Sequence, residues 1–336
     1  MVDRYSRQML FKPIGEDGQL KILNKHVLIL GCGALGSANA ENLARAGVGK
    51  LTLIDRDYVE LSNLQRQQLY TEKDVHEQVP KAIAAKKRLL EINREVNIDA
   101  YVLDATPISL VPLLNDIDIV IDATDNFDTR LMMNDLLQKY QIPWIFGSCV
   151  GSTGMSYTIL PKETPCLGCL LDRAPMSGAT CDSVGIISPA VQMVVAHQTT
   201  EALKLLVEDK DSLRTNLVTF DLWNNYYHTM NVERAKKENC PTCGENPSFP
   251  HFSGEVSTKS EVLCGRNTVQ IRTGRKVNLQ ELANRLQYVA PININDFLLS
   301  LEYESYRLVF FHDGRTLIHG TNSIEKAKTI YYQLAG

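Results

Sequence analysis

The run HVLILGCGALG, from His26 to Gly36, constrains this chain more than any other stretch. A short block of β-branched and leucine residues ends in a glycine turn, and SANAENLARAG follows with helical spacing. An apolar run of that length, bounded by glycine and continued by a period near 3.6, reads as a buried strand handing over to a helix. LTLID at Leu51 to Asp55, after the turn residues Gly47 and Gly49, completes a βαβ unit, which calls for a parallel sheet. The alternation continues: KAIAAKKRLLEI reads as an amphipathic helix, DIDIVIDATDN as a buried strand ending in acidic residues, and IPWIFGSCVG as another strand. The class is α/β, with a Rossmann-like nucleotide-binding sheet.

A chain of 336 residues has room for roughly two domains. SPAVQMVVAHQTTEALKLLVE, Ser188 to Glu208, begins with Ser188 as an expected N-cap and Pro189 at the first helical position. His197, in its middle, is read as a packing histidine. At Lys236 to Ser253 (KKENCPTCGENPSFPHFS) the turn formers Pro, Gly, Asn and Ser concentrate and no period survives, which places a domain boundary there. The expected division is residues 1–250 and a small α/β or α+β module at 251–336. That module should hold a strand around Glu261 to Arg272 and a helix capped by Asn278 and Glu281. YRLVFF and TLIHG should form a hairpin across Asp313-Gly314, and NSIEKAKTIYYQL should close the chain as a helix.

Composition narrows the function classes. Lys and Arg total 35 against 39 Asp and Glu, a net charge of -4, without the basic excess of a general nucleic-acid binder. No apolar run approaches the roughly 20 residues of a membrane span, and MVDRYSRQMLF lacks a signal-peptide core, so a cytoplasmic protein is expected.

GCGALG places Gly31, Gly33 and Gly36 in the GxGxxG form, which lets backbone approach a phosphate and aims a helix N-terminus at it. Asp55, at the end of the second strand, is placed to accept from ribose hydroxyls. These features fit a nicotinamide dehydrogenase and an ATP enzyme equally. DRDYVELSNLQRQQLY separates the two by setting Asn63, Gln65 and Arg66 directly after the ribose acid, followed by Lys81. A dehydrogenase has no use for that cluster, whereas a triphosphate attacked at its α-phosphorus needs cations on its oxygens and a carboxylate such as Asp125 for Mg²⁺.

Cys166-Leu-Gly-Cys169 and Cys240-Pro-Thr-Cys243 are two knuckle-like pairs. Four thiolates suit a closed tetrahedral Zn²⁺ site with no position left for water, hence a structural one. A redox dithiol is the lesser reading, because it needs one pair at a helix N-terminus. Cys32 and Cys149 read as packing residues.

Taken together, GCGALGS, AGVG, IDRD, the SNLQRQ run, ATDN and the paired CxxC motifs resemble the ubiquitin-activating superfamily over residues 1 to about 250. Within it the resemblance is to the MoeB/ThiF adenylyltransferase branch, which activates the sulfur carriers MoaD and ThiS. The resemblance implies that Asp55 binds ribose, that Asn63, Arg66 and Lys81 bind phosphate, and that Asp125 holds magnesium with Asn126 beside it. Arg7, in RYSRQ, matches the arginine that the family lends to the neighbouring protomer's ATP site, which implies a homodimer. Cys181, in MSGATCDSVGIIS, matches the family's loop cysteine, where a thiolate could attack the acyl-adenylate; an inert loop cysteine is the competing reading.

The implied reaction is ATP-dependent adenylation of the C-terminal glycine of a ubiquitin-like carrier ending in Gly-Gly. The reading leans to a MoaD-like carrier of molybdenum cofactor biosynthesis, with a ThiS-like carrier of thiamine thiazole biosynthesis as the alternative. A nicotinamide-dependent oxidoreductase and an inactive partner subunit are the remoter rivals; the latter would be expected to have lost Arg7, Arg66, Lys81 or Asp125, and all four are present. The tail is not a convincing rhodanese domain: Cys264-Gly-Arg266 is expected on a strand and not in a cradle loop, so sulfur is expected from another protein.

Overall fold

The computed structural model describes residues 2–171, 184–252, 260–263 and 267–335. These form two compact units, one on each side of residues 253–259.

In the larger unit eight strands make one sheet in the order β3-β2-β1-β4-β5-β6-β7-β8. They are β1 His26–Leu30, β2 Lys50–Asp55, β3 Asn97–Val102, β4 Ile119–Asp122, β5 Trp144–Val150, β6 Thr153–Ile159, β7 Asn216–Asp221 and β8 Tyr226–Asn231. The first five run parallel, and β6 to β8 continue antiparallel. The unbroken apolar run of β1 follows from its central place, with both faces covered. Val27 and Ile29 enter one core with Leu43, Leu51 and Val194; Leu28 and Leu30 enter the other with Met133, Trp144 and Tyr157. Each such side chain stabilises the sheet by roughly 1.5–3 kcal/mol.

Helices Ala34–Ala46, Lys81–Ile92 and Ser188–Leu206 begin within a residue or a few of where the sequence reading puts them, and a further helix covers Phe127–Tyr140, where the sequence reading places no element. One cap is corrected: the helix starts a residue earlier, so Ser188 is its first residue and Pro189 its second, where the missing amide proton has no helical partner to lose, and the extended Ile187 occupies the cap without a side-chain bond.

The smaller unit is an antiparallel sheet in the order β11-β12-β13-β14-β10-β9. Its strands are β9 Ser260–Leu263, β10 Thr268–Arg272, β11 Ile292–Ile294, β12 Leu298–Tyr303, β13 Tyr306–Phe311 and β14 Arg315–His319. Helices Leu279–Leu286 and Ile324–Ala335 pack on Leu299, Leu301, Leu308 and Phe310. The Asn278 carboxamide oxygen accepts from the amides of Gln280 and Glu281, and β13 pairs with β14 across Gly314 at φ 84, as the Asp-Gly step requires. Where one strand was expected over residues 261–272 there are two antiparallel ones, β9 and β10. The unit is α+β with no parallel pair among its described strands.

Candidate nucleotide site and cysteine cluster

Strand order reverses at β1, with β2 on one side and β4 on the other, so a crevice opens beyond their carboxyl ends. The glycine turn fills its floor. Gly31 has φ 92, and a Cβ there would lie 2.5 Å from the Ala123 carbonyl oxygen; one at Gly36 would lie 1.8 Å from the Gly31 oxygen. The turns after β1 and β4 are thus in backbone contact, and no other residue fits either position. Gly33 is the N-cap of helix Ala34–Ala46, whose first amides have no partner within the helix and carry its positive end.

The Asp55 carboxylate braces this turn, accepting from the Cys32 amide at 2.6 Å through Oδ2 and from the Asp57 amide at 2.6 Å through Oδ1. Burial pushes the carboxyl above its ordinary range, an effect partly offset by Lys81 and by those two amides, which favour the charged form. Lys81 is buried at the start of helix Lys81–Ile92, with Nζ 3.6 Å from Asp57 Oδ2. Burying an ammonium is costly unless opposite charge is near, and here two aspartates meet that need.

SNLQRQ folds over the turn. Asn63 is buried, and its Oδ1 accepts from the Glu60 amide at 3.2 Å, so its amide nitrogen is the end that can donate outward. Arg66 is half-exposed and donates to the Ser62 carbonyl at 3.0 Å, and Gln65 is exposed. Two neighbours that the sequence reading passed over lie closer in. The Gln67 amide nitrogen is 3.8 Å from where a Gly33 Cβ would stand, with its Oε1 buried and unpartnered. Tyr70 is buried and donates to the Cys32 carbonyl at 2.6 Å. Their only sequence signal is the polar-aromatic spacing QRQQLY.

On the opposite wall, Asp125 is exposed in the loop after β4, and Asn126 caps helix Phe127–Tyr140 by accepting from the Thr129 amide at 2.8 Å. A buried ion pair supports this loop. Arg130 Nε donates to Asp122 Oδ2 at 3.0 Å, and its terminal nitrogen donates to the carbonyls of Thr124 at 2.6 Å and Gly147 at 3.0 Å. Asp122 Oδ1 accepts from the Thr124 amide and hydroxyl at 2.9 and 2.7 Å.

Arg7 is exposed on helix Val2–Met9, and its neighbours anchor that helix far from the crevice. Tyr5 packs against Gly47, and Gln8 donates to the Ala46 carbonyl at 3.0 Å, both at the C-terminal end of the 13-residue helix that starts at the glycine turn. At 1.5 Å per residue that helix is about 20 Å long, beyond the reach of one arginine side chain. Arg7 is therefore not gathered into its own chain's crevice.

The Sγ atoms of Cys166, Cys169, Cys240 and Cys243 all lie within 4.8 Å of one another. Three of the separations are 3.9 Å (Cys166 to Cys169), 3.7 Å (Cys166 to Cys240) and 3.5 Å (Cys169 to Cys243). Tetrahedral ligands about 2.3 Å from a zinc ion would stand about 3.8 Å apart, so the four sulfurs already have the dimensions of a closed ZnS₄ site. Amides of Lys237 and Thr242 point at Cys169 and Cys240, each at 3.5 Å. The hydrogen bond from Cys166, with the other donors around it, favours thiolate on Cys169. Asn134 and Asp135, on helix Phe127–Tyr140, hold both knuckles: Asn134 accepts from the Leu167 amide at 2.8 Å, Asp135 from the Thr242 hydroxyl at 2.5 Å. One helix thus links the loop carrying Asp125 to the cysteine cluster.

Cys32 is buried and Cys149 packs against the same core, as expected of packing residues. His197 is half-buried and bonded to Arg214 at 3.0 Å and Tyr227 at 3.2 Å. Cys181 and Cys264-Gly-Arg266 lie outside the described residues.

The profile of the ThiF family matches residues 5–242. The chain belongs to the ThiF family. It is 49 % identical over 339 aligned residues to the sulfur carrier protein ThiS adenylyltransferase of Bacillus subtilis, with 100 % of both chains covered. The sulfur carrier protein adenylyltransferase of Thermus thermophilus is 34 % identical over 74 % of this chain and 92 % of that one. Among solved structures, E. coli MccB superposes with a TM-score of 0.64 over 74 % of each chain at 23 % identity, a likeness of fold alone. No helix among the described residues is long and apolar enough to cross a membrane.

Proposed function

We propose that this ThiF-family chain adenylates the C-terminal glycine of a ubiquitin-like sulfur carrier at the expense of ATP, and that the carrier is ThiS-like. The observation that carries the activity is the brace around the glycine turn, where Asp55 holds the Cys32 amide and Lys81 stands buried beside two aspartates at a helix N-terminus. The residues fit the nucleotide. The turn tolerates only glycine at Gly31 and Gly36, and space remains over Gly33, where the Gln67 amide nitrogen, 3.8 Å from the position of a Gly33 Cβ, is a donor that a phosphate oxygen could meet.

In this reading the carrier carboxylate oxygen attacks the α-phosphorus. A C(O)O–P bond forms, the bond from the α-phosphorus to the bridging oxygen breaks, and pyrophosphate leaves. Asp55 would take the ribose, while Asn63, Arg66 and Lys81 would neutralise phosphate oxygens, with Gln65 and Asn126 at the margins. Asp125 would hold Mg²⁺, whose contribution is added positive charge on the phosphates. The four cysteines would hold Zn²⁺, which supplies folding stability. Because Arg7 is anchored about 20 Å from its own turn, its natural target is the crevice of a second copy, which makes the active form a homodimer.

For the carrier, the end-to-end match to a relative named for ThiS, smaller unit included, favours ThiS over MoaD and replaces the MoaD lean of the sequence reading. Family membership likewise displaces the oxidoreductase reading, and retention of Arg7, Arg66, Lys81 and Asp125 argues against an inactive subunit. Exchange of labelled pyrophosphate into ATP should require a ThiS-like protein ending in Gly-Gly and fall by more than ~10²-fold in Asp125→Ala. Exchange driven as well by a MoaD-like carrier would overturn the carrier assignment; undiminished exchange by Asp125→Ala would overturn the magnesium site.

A further inference from the structure

Tyr70 is a buried phenol that the proposed reaction does not use. Its hydroxyl lies 2.6 Å from the Cys32 carbonyl oxygen and 3.2 Å from the Lys81 carbonyl oxygen, so one side chain spans the glycine turn and the start of the helix that carries the buried ammonium. A hydroxyl has a single proton, and the shorter contact takes the larger share of it.

The Cys32 carbonyl belongs to the same planar trans peptide unit as the Gly33 amide, and in such a unit C=O and N–H point in opposite directions. Whatever holds that oxygen therefore fixes where the Gly33 N–H points. The preceding peptide is fixed as well, since the Cys32 amide donates to Asp55 at 2.6 Å. Both peptide units of the turn are thus clamped from below, and the Gly33 N–H is left aimed away from Tyr70, at the mouth of helix Ala34–Ala46. Burial holds the phenol well above its usual pKa, so it stays a donor at any working pH.

We propose that Tyr70 is a positioning residue for α-phosphoryl transfer: by holding the Cys32 carbonyl it aims the Gly33 amide at the oxygen on which charge grows as pyrophosphate departs. The inference rests on the ATP reading above. A donor so preorganised lowers the barrier more than it tightens ground-state binding, because the phosphate is already charged when it arrives and gains its extra charge at this oxygen only during attack.

Tyr70→Phe keeps the ring and its packing and removes only the hydroxyl. With saturating carrier, kcat for pyrophosphate exchange should fall by about tenfold or more, while the Kd for ATP, measured by equilibrium binding, changes less than about threefold. Thermal unfolding measured alongside shows that the assay temperature lies below the transition of the variant. A folded Tyr70→Phe enzyme with wild-type kcat, or one whose whole loss lies in the Kd for ATP, would overturn the proposal. Wild-type protein that exchanges no pyrophosphate with any carrier would instead defeat the ATP reading itself, which keeps the two failures apart.

Discussion

Replacing Arg130 by methionine should be among the most damaging single changes in the larger unit. The guanidinium is 5 % exposed and gives Nε to Asp122 and a terminal nitrogen to the Thr124 and Gly147 carbonyls, at 3.0, 2.6 and 3.0 Å. Its plane also lies 5.2 Å from the Phe146 ring centre. Methionine preserves the apolar stem and the ring contact but leaves a fully buried Asp122 carboxylate without its cation. Breaking a buried pair from one side costs about 3–5 kcal/mol, which for a unit of this size lowers the melting temperature by roughly 10 °C. Both tryptophans of the chain lie in this unit, and Trp144 is fully buried, so urea unfolding followed by tryptophan fluorescence reads the loss directly. Adding Asp122→Asn removes the stranded charge and should recover about 1–3 kcal/mol of the sum of the single losses. A loss below ~1 kcal/mol in Arg130→Met, or strict additivity in the double variant, would refute the view that this pair holds the loop bearing Asp125.

Chelating the metal from purified protein, or changing Cys169 to Ser, should cost more than ~4 kcal/mol and ~10 °C of melting temperature; metal analysis of the untreated protein should find one zinc per chain. His197 titrates below 6.5, chiefly because it is half-buried and secondly because Arg214 is beside it. The unfolded chain therefore binds more protons between the folded value and 6.5, stability rises with pH through that window, and His197→Gln should flatten the decline in melting temperature on acidification from pH 7.5 to 5.5; an unchanged slope would discard that assignment. Mixing Arg7→Ala with Asp125→Ala chains should restore exchange in heterodimers holding one intact crevice, and heterodimers that form yet stay inactive would return Arg7 to its own chain.

What was legible in the sequence was what local pattern dictates. HVLIL, glycine turn and helix emerge together because β1 is covered on both faces and Gly31 and Gly36 have no room for a side chain. The cysteine pairs were legible for a similar reason: fixed spacing expresses a fixed tetrahedron. The antiparallel strands β6 to β8, β11 and β12 were not seen, because they are mixed in polarity and the short connections between β5 and β6, β7 and β8, and β11 and β12 carry no Asn-Gly or Asp-Gly step, while β6 and β7 are distant in the chain. Tyr70, Gln67, Asp122 and Arg130 escaped because their contacts are made by residues that only the fold brings together. Nothing in the spacing of Tyr70 and Cys32 says that a hydroxyl meets a carbonyl 38 residues away, and Arg130 reaches Gly147 only because β4 and β5 are neighbours. Arg7 was legible as a motif, while its distance from its own crevice required the anchors at Tyr5 and Gln8.

The most direct test of the central claim is the fate of the carrier and of the nucleotide in one tube. Enzyme, MgATP and a ThiS-like carrier ending in Gly-Gly, quenched early and weighed intact, should show a carrier heavier by one adenylyl group on its terminal carboxylate, with pyrophosphate released. A carrier lacking the last glycine should stay unmodified. Full-length carrier that stays unmodified while ATP is split to ADP and phosphate would mean attack at the terminal and not the α-phosphorus, and would contradict the account.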